Sequence, residues 1–211
     1  MTKWLRAVLL FSSILTIQAC APKAQEECGF VQNVYGERIS WKTNAPVKMY
    51  IHESVPQSFV PAILAAADTW EKTAGRKLFD IDTSRRIQGP ANPHQDGFNV
   101  IYMLESWEPT RDTEQGRTSM YWLGDLIKEA DIRINAKNFG YYWQNQTLTK
   151  SSANQQSKPV NIEALVLHEL GHVLGLKHKD EGGSVMATYL ASGADRVQVA
   201  ETDAASLRCE Y

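Results

Sequence analysis

The chain of 211 residues predicts an α+β domain, a twisted mixed sheet packed on helices, behind an N-terminal export segment. Three observations carry this expectation. Short runs of strand character are interspersed with stretches whose apolar residues recur at helical spacing. A hydrophobic content of 43% suits one globular domain with a real core. The first twenty residues differ in kind from the rest: Lys3 and Arg6 precede an apolar run, Ala7 to Ile17, that is short for a bilayer span but suits a secretory signal peptide.

Within the domain, residues 47–52 alternate as a strand does, and Ser58 to Thr73 has helical spacing with Val60, Ile63, Leu64, Ala67 and Trp70 facing inward. Thr83 to Gly97 reads as a long polar loop. Asn99 to Leu104 is an apolar run suited to a central strand, and Thr118 to Trp122 and Ala130 to Asn135 read as two more. Tyr141, Tyr142 and Trp143 suggest core or loop packing, and Lys150 to Pro159 is a polar connection. Asn161 to Leu174 then reads as a helix with Asn161 as its N-cap and Ile162, Leu165, Val166, Leu170, Val173 and Leu174 on or near one face.

That last helix carries chemistry. His168, Glu169, His172, Gly175 and His178 fit the pattern H-E-x-x-H-x-x-G-x-x-H at every fixed position. The chain has five histidines, and three of them fall in these eleven residues, which makes coincidence a poor explanation. Residues i and i+4 share a helix face, so His168 and His172 can bind one ion, while Glu169 is rotated about 100° away and need not be a ligand. Gly175 can take a left-handed conformation that ends the helix and turns the chain, so that His178 approaches from a third direction. Three neutral imidazoles leave a tetrahedral zinc one open position, the mark of a catalytic site. Glu169 is then the general base for attack of a metal-bound water on a peptide carbonyl. A competing reading keeps the zinc and the cleft but turns over no peptide, as a recognition or adhesion module. His52 and His94 are isolated and fit ordinary structural roles.

These eleven residues resemble the signature of the metzincin zinc endopeptidases. Ser184-Val185-Met186 is similar to their Met-turn, whose methionine lies beneath the metal, and the short interval from His178 matches the matrixin branch. Val199 to Tyr211 resembles the closing matrixin helix, with Asp203 at the acidic position that props the Met-turn. Arg38 to Lys42, the helix ending near Trp70, and Glu129 to Asn135 fall in matrixin order. The resemblance implies a twisted mixed five-stranded sheet with three helices and one catalytic zinc in the cleft. It also implies that Thr118, Ser119, Met120 and Tyr121 on an edge strand receive an extended protein or peptide substrate. Ala187, Thr188, Tyr189 and Leu190 would wall the pocket beside the metal. The loop 106–117 has no histidine, so no second zinc is expected, and calcium is possible but not indicated. Tyr189 lies three residues after Met186, one too many for the tyrosine ligand of other metzincin branches, and is not expected to bind the metal.

Ile17-Gln18-Ala19-Cys20 resembles the lipobox of bacterial lipoproteins, with Gln18 an imperfect fit. The expected organisation is a signal peptide (1–19), a tether lipidated at Cys20 (20–28) and the catalytic domain (29–211). Ala21 after the lipidated cysteine points to the outer membrane of a bacterial envelope. Cys28 and Cys209 remain as an exported pair, which suggests a disulfide, the alternative being a free Cys28 thiol that blocks the zinc. Removal of residues 1–19 takes Lys3 and Arg6 away, leaving 20 basic against 24 acidic residues, 20 − 24 = −4. Such a charge excludes nucleic acid as a partner, and a monomer is expected. The sequon Asn145-Gln146-Thr147 is expected to be idle in a bacterial protein.

Overall fold

The computed structural model describes residues 24–144, 146–148, 159–191 and 193–211. The export segment, Cys20, Asn145 of the sequon and nearly all of the 150–159 connection lie outside them. In chain order the elements are β1 (Val47–His52), α1 (Val60–Ala74), β2 (Phe79–Ile87), β3 (Val100–Leu104), β4 (Gly116–Leu123), β5 (Leu126–Asn135), β6 (Tyr141–Trp143), β7 (Gln146–Leu148), β8 (Val160–Asn161), α2 (Ile162–Val173) and α3 (Glu201–Arg208).

The main sheet has five strands in the order β2-β1-β3-β5-β4. Its pairs are parallel except for the antiparallel hairpin of β4 and β5, so the sheet is mixed, as expected. The two faces explain the pattern of β3, which is buried at every position. Ile101 and Met103 join the main core with α1 and α2, while Val100, Tyr102 and Leu104 pack with Trp107 in a second cluster on the other face. Helix α1 meets α2 through Trp70, whose indole N–H donates to the carbonyl of Leu167 at 2.8 Å. A second, three-stranded sheet in the order β7-β6-β8 leads into α2.

Two sequence expectations are corrected. Leu64 does not face inward; it is 42% exposed, and the small residues Ala62 and Ala66 fill the interior face of α1 instead. Alanine is a weak hydrophobic signal, so the true stripe was hidden behind a larger residue. The supposed loop from Thr83 begins as strand, because β2 runs from Phe79 to Ile87 at the sheet edge. Its Asp80, Asp82, Ser84, Arg85 and Arg86 face solvent or polar partners, and pairing with β1 is carried by the backbone, which leaves no apolar alternation to read. Residues 141–143 likewise form a strand, with Tyr141 buried.

The two ends of the domain are tied together. Cys28 and Cys209 form a disulfide across 181 residues with a Cα–Cα distance of 6.3 Å. Glu210 accepts hydrogen bonds from Arg38, Ser40 and Lys42 at 2.7–2.8 Å, and these partners hold its carboxyl below the usual range despite burial. Tyr211 donates its hydroxyl to the Leu174 carbonyl at 2.7 Å and accepts from the Trp41 N–H. The Trp41 indole donates to the Val173 carbonyl. The carbonyls of Val173 and Leu174, two of those that the C-terminus of a helix leaves without internal partners, are thereby satisfied from both ends of the domain.

Candidate active site

Helix α2 is fixed at each end. At its start the Asn161 side chain accepts from the N–H groups of Glu163 and Ala164 at 2.9 and 3.2 Å, and its amide donates to Asp195 at 2.7 Å. At its end Gly175 has φ +99°, a left-handed conformation that side chains oppose. The Leu176 N–H bonds to the Gly171 carbonyl and the Gly175 N–H to the His172 carbonyl, the paired bonds of a Schellman stop. A Cβ at position 175 would also overlap the Ile39 carbonyl. This turn brings His178 back beside the helix.

The three imidazoles converge. Their Nε2 atoms lie 3.1, 3.1 and 3.3 Å from one another. His168 Nδ1 is 2.8 Å from the Val185 carbonyl and His172 Nδ1 is 2.7 Å from the Leu176 carbonyl, so each donates from Nδ1 and leaves Nε2 with a bare lone pair. Burial, reinforced by neighbouring histidine, lowers the pKa of His168 to about 3; burial lowers that of His172 to about 4, and also lowers that of His178. All three are therefore neutral at pH 7. Two bare lone pairs, those of His168 and His172, face each other at 3.1 Å and repel unless a cation lies between them, and the His178 Nε2 stands at the same point. Nitrogens on a tetrahedral zinc, with bonds of about 2.0–2.1 Å, sit roughly 3.3–3.4 Å apart, so the donor set fits that ion. Among the described residues this is the group of three able to hold a metal.

Glu169 is 2% exposed and stands outside that donor set. Burial raises its pKa to about 7, against the opposing effect of Thr118, whose hydroxyl lies 2.7 Å from Oε2. Gly116 makes room for the carboxyl: a Cβ there would come within 2.7 Å of Oε1 and 3.2 Å of Leu165. A cleft of about 480 Å³ opens here, lined by Gly116 to Met120, by the histidine triplet and Glu169, and by Ala187 to Leu190. Thr118, Ser119, Met120, Thr188 and Tyr189 thus come together, whereas Tyr121 lies beyond the cleft lining. Strand β4 is the sheet edge, paired on one side by β5. Gln115 crosses to the far wall, its amide donating to the Leu190 carbonyl at 2.9 Å.

Met186 is buried with its sulfur against Gly171, the residue before His172, where a Cβ would overlap it. Asp203 accepts from the Ser184 hydroxyl at 2.6 Å and the Val185 N–H at 2.8 Å, and the Ser184 oxygen accepts in turn from the Met186 N–H. The Val185 backbone therefore links Asp203, through its N–H, to the His168 ring, through its carbonyl. Sequence reasoning did not assign roles to Gly116, Gly171 or the Thr118 hydroxyl. Gly171 sits at a variable position inside the motif, and a glycine in mid-helix was its one visible signal.

The arrangement of the triplet, the carboxyl and the Met-turn under an edge strand, on this α+β frame, is that of a metzincin catalytic domain. Residues 27–211 match the matrixin family, peptidase M10, and the chain belongs to it. That family consists of zinc-dependent metalloendopeptidases. No match is found among curated proteins.

Proposed function

We propose that the protein is an endopeptidase that cuts extended segments of protein substrates, with Glu169 as general base. The observation that carries this reading is the buried Glu169 carboxyl, held by Thr118 in the cleft floor beside the three ligands without being one of them. A recognition module would have no use for it. His168, His172 and His178 would hold a zinc ion, which would supply a Lewis acid to polarise the scissile carbonyl and acidify water. Glu169 takes the proton of the attacking water at a carboxyl oxygen and passes it to the leaving amine nitrogen. The free edge of β4 offers backbone groups to a peptide lying as an added strand, so binding reads main chain before side chains. Residues 187–190 set the preference for the side chain beside the metal.

Cys20, five residues before the ordered contacts of Gln25, supports attachment to the outer membrane of a bacterial envelope by acyl chains. More than one chain on a cysteine gives stable anchoring. No helix among the described residues is long and apolar enough to cross a membrane.

The test is cleavage of a diverse peptide library followed by mass spectrometry, with Glu169→Ala beside the parent. Internal cuts by the parent that a zinc chelator suppresses and the variant lacks are the expected outcome. A folded, zinc-loaded parent that makes no cuts would leave the recognition module as the better reading.

A further inference from the structure

Seven large apolar side chains stand out as exposed among the described residues, and four of them fall at one end of the molecule. Val34 and Tyr35 are 92% and 61% exposed in the turn after Asn33, and Trp122 and Leu123 are 46% and 75% exposed at the tip of the β4–β5 hairpin. The two tips are joined: the Asn33 side-chain amide donates to the Gly124 carbonyl at 3.2 Å, and the Ser40 N–H to the Asp125 carbonyl at 3.1 Å. Asn33 also accepts from the N–H groups of Tyr35 and Glu37, which fixes the first tip in shape. The patch is thus a built surface, not two independent loops.

Its position relative to the N-terminal segment indicates its occupant. The Gln25 N–H donates to the Gly36 carbonyl at 2.8 Å, and the Gln25 side chain accepts from the Arg38 N–H, so the incoming chain is stitched to the same turn that carries Val34 and Tyr35. From Cys20 to Gln25 is five residues, at most about 18 Å of fully extended chain. A domain tethered that closely must present this end to the bilayer. Tryptophan and tyrosine are the residues that settle at the membrane–water boundary, where an apolar ring and a polar edge are both accommodated. Of the cations near the patch, Arg38 is engaged by Glu210 and Lys42 by Asp125 and Glu210, while Lys128 of β5 is exposed, so the surface is mainly apolar and not a strongly basic, charge-driven one.

We propose that Val34, Tyr35, Trp122 and Leu123 form a docking surface for the lipid bilayer that carries the anchor, and that the catalytic domain rests on it there. The proposal rests on the anchoring reading above and adds the orientation. Strand β4 carries both the cleft edge at Thr118 to Met120 and the docking tip at Trp122, and four residues of strand span about 13 Å. The cleft edge then lies within that distance of the lipid surface, and the substrates are extended segments of proteins close to the same membrane.

The test uses the exported protein purified from membranes and reconstituted in phosphatidylethanolamine–phosphatidylglycerol vesicles containing brominated lipid, which quenches only tryptophans in contact with the acyl region. Of the five tryptophans after the export segment, Trp41, Trp70 and Trp107 are buried and Trp143 is half-buried with its indole N–H on Glu163, so the exposed Trp122 is the reporter. Emission is expected to fall by up to about a fifth relative to unbrominated vesicles, the share of one tryptophan in five, to stay quenched in high salt, and to recover in V34S/Y35S/L123S. Those three residues are outside the cleft, so cleavage of a short soluble peptide by the variant should match the parent. A parent that is wholly vesicle-bound without quenching overturns the docking surface, as does equal quenching of parent and variant. Intact mass decides the anchor separately. If Cys20 carries no acyl chain, a maleimide lipid is coupled to it, the other two cysteines being paired with each other, and the quenching comparison is read in the same way.

Discussion

Replacing Asp203 with alanine should weaken the fold and the metal site by separable amounts. The carboxyl is buried and accepts two hydrogen bonds, from the Ser184 hydroxyl and the Val185 N–H. Bonds to a charged acceptor contribute about 1.5–3 kcal/mol each, and the two donors would be left buried without partners, so metal-free Asp203→Ala is expected to lose about 3–5 kcal/mol. For a domain of this size that corresponds to a melting temperature lower by roughly 6–20 °C. Zinc affinity should fall about 10- to 100-fold as well, because Asp203 holds the Val185 N–H directly and the next N–H, that of Met186, through Ser184, and between them lies the Val185 carbonyl that orients His168. Asp203→Asn should fall between. Its oxygen can keep the Val185 N–H, but its amide would turn the Ser184 oxygen into a double acceptor and strand the hydroxyl proton. Urea unfolding of the metal-free proteins and competition for zinc with a chelator measure the two effects. A loss under about 1 kcal/mol in metal-free Asp203→Ala would show that these bonds do not hold the Met-turn.

Three further outcomes follow from single contacts. Thr118→Val removes the hydroxyl donor to Glu169 while keeping the backbone of β4, so kcat should drop about 10- to 100-fold with KM nearly unchanged and recover in Thr118→Ser; a change in KM alone would place the hydroxyl on the substrate instead. Gly171→Ala should be destabilising by about 1–3 kcal/mol in denaturant titrations although alanine favours helix, because its methyl group collides with the Met186 sulfur; a variant as stable as the parent would mean that Met186 moves aside freely. Asp131 has its pKa raised from 3.8 to about 7, mainly by burial, so the folded state holds a proton that the unfolded state releases, and its contribution to stability falls as pH rises from about 4 to 7. Glu169 acts with the same sign in metal-free protein, so the comparison is with the parent: Asp131→Asn should gain at least about 1 kcal/mol at pH 8 and little at pH 4.5, and an equal shift at both would remove Asp131 as the source.

The parts legible in the sequence were those with a fixed spacing or a strong period. The motif-bearing helix announces itself because His168, Glu169 and His172 occupy set positions on one turn, and Asn161 and Gly175 mark its ends by chemistry that few residues can supply. Strand β1 was readable to the residue because Val47, Met49 and Ile51 are buried while Lys48 and Tyr50 between them are less so, an alternation that ends only at the buried His52. What stayed hidden is long-range. Strand β2 is polar because its stability comes from a backbone ladder to β1, and the Thr118 hydroxyl meets Glu169 across 51 residues of sequence. Gly116 looks like any strand glycine until the carboxyl it accommodates is in place. No local pattern encodes such meetings, since each partner is an ordinary residue of its own element.

The disulfide and Asp203 act on the same helix, α3, yet they should act on different states of the protein. Closing 181 residues between Cys28 and Cys209 restricts mainly the unfolded chain, a contribution of up to about 5 kcal/mol in the chain-entropy account. In the folded state the C-terminal segment has independent holds: Glu210 on Arg38, Ser40 and Lys42, and Tyr211 on Leu174 and Trp41. Cys209→Ser should therefore leave α3 docked, and with it Asp203 under the Met-turn. Its stability should fall by several kcal/mol while zinc affinity and peptide cleavage stay within about twofold of the parent, in contrast to Asp203→Ala, which lowers both. The measurement is the same pair of urea and chelator titrations, with nonreducing electrophoresis to confirm the state of the bond. If Cys209→Ser loses zinc as Asp203→Ala does, the clamp on the chain ends is part of the folded metal site and the polar contacts of Glu210 and Tyr211 are too weak to stand in for it.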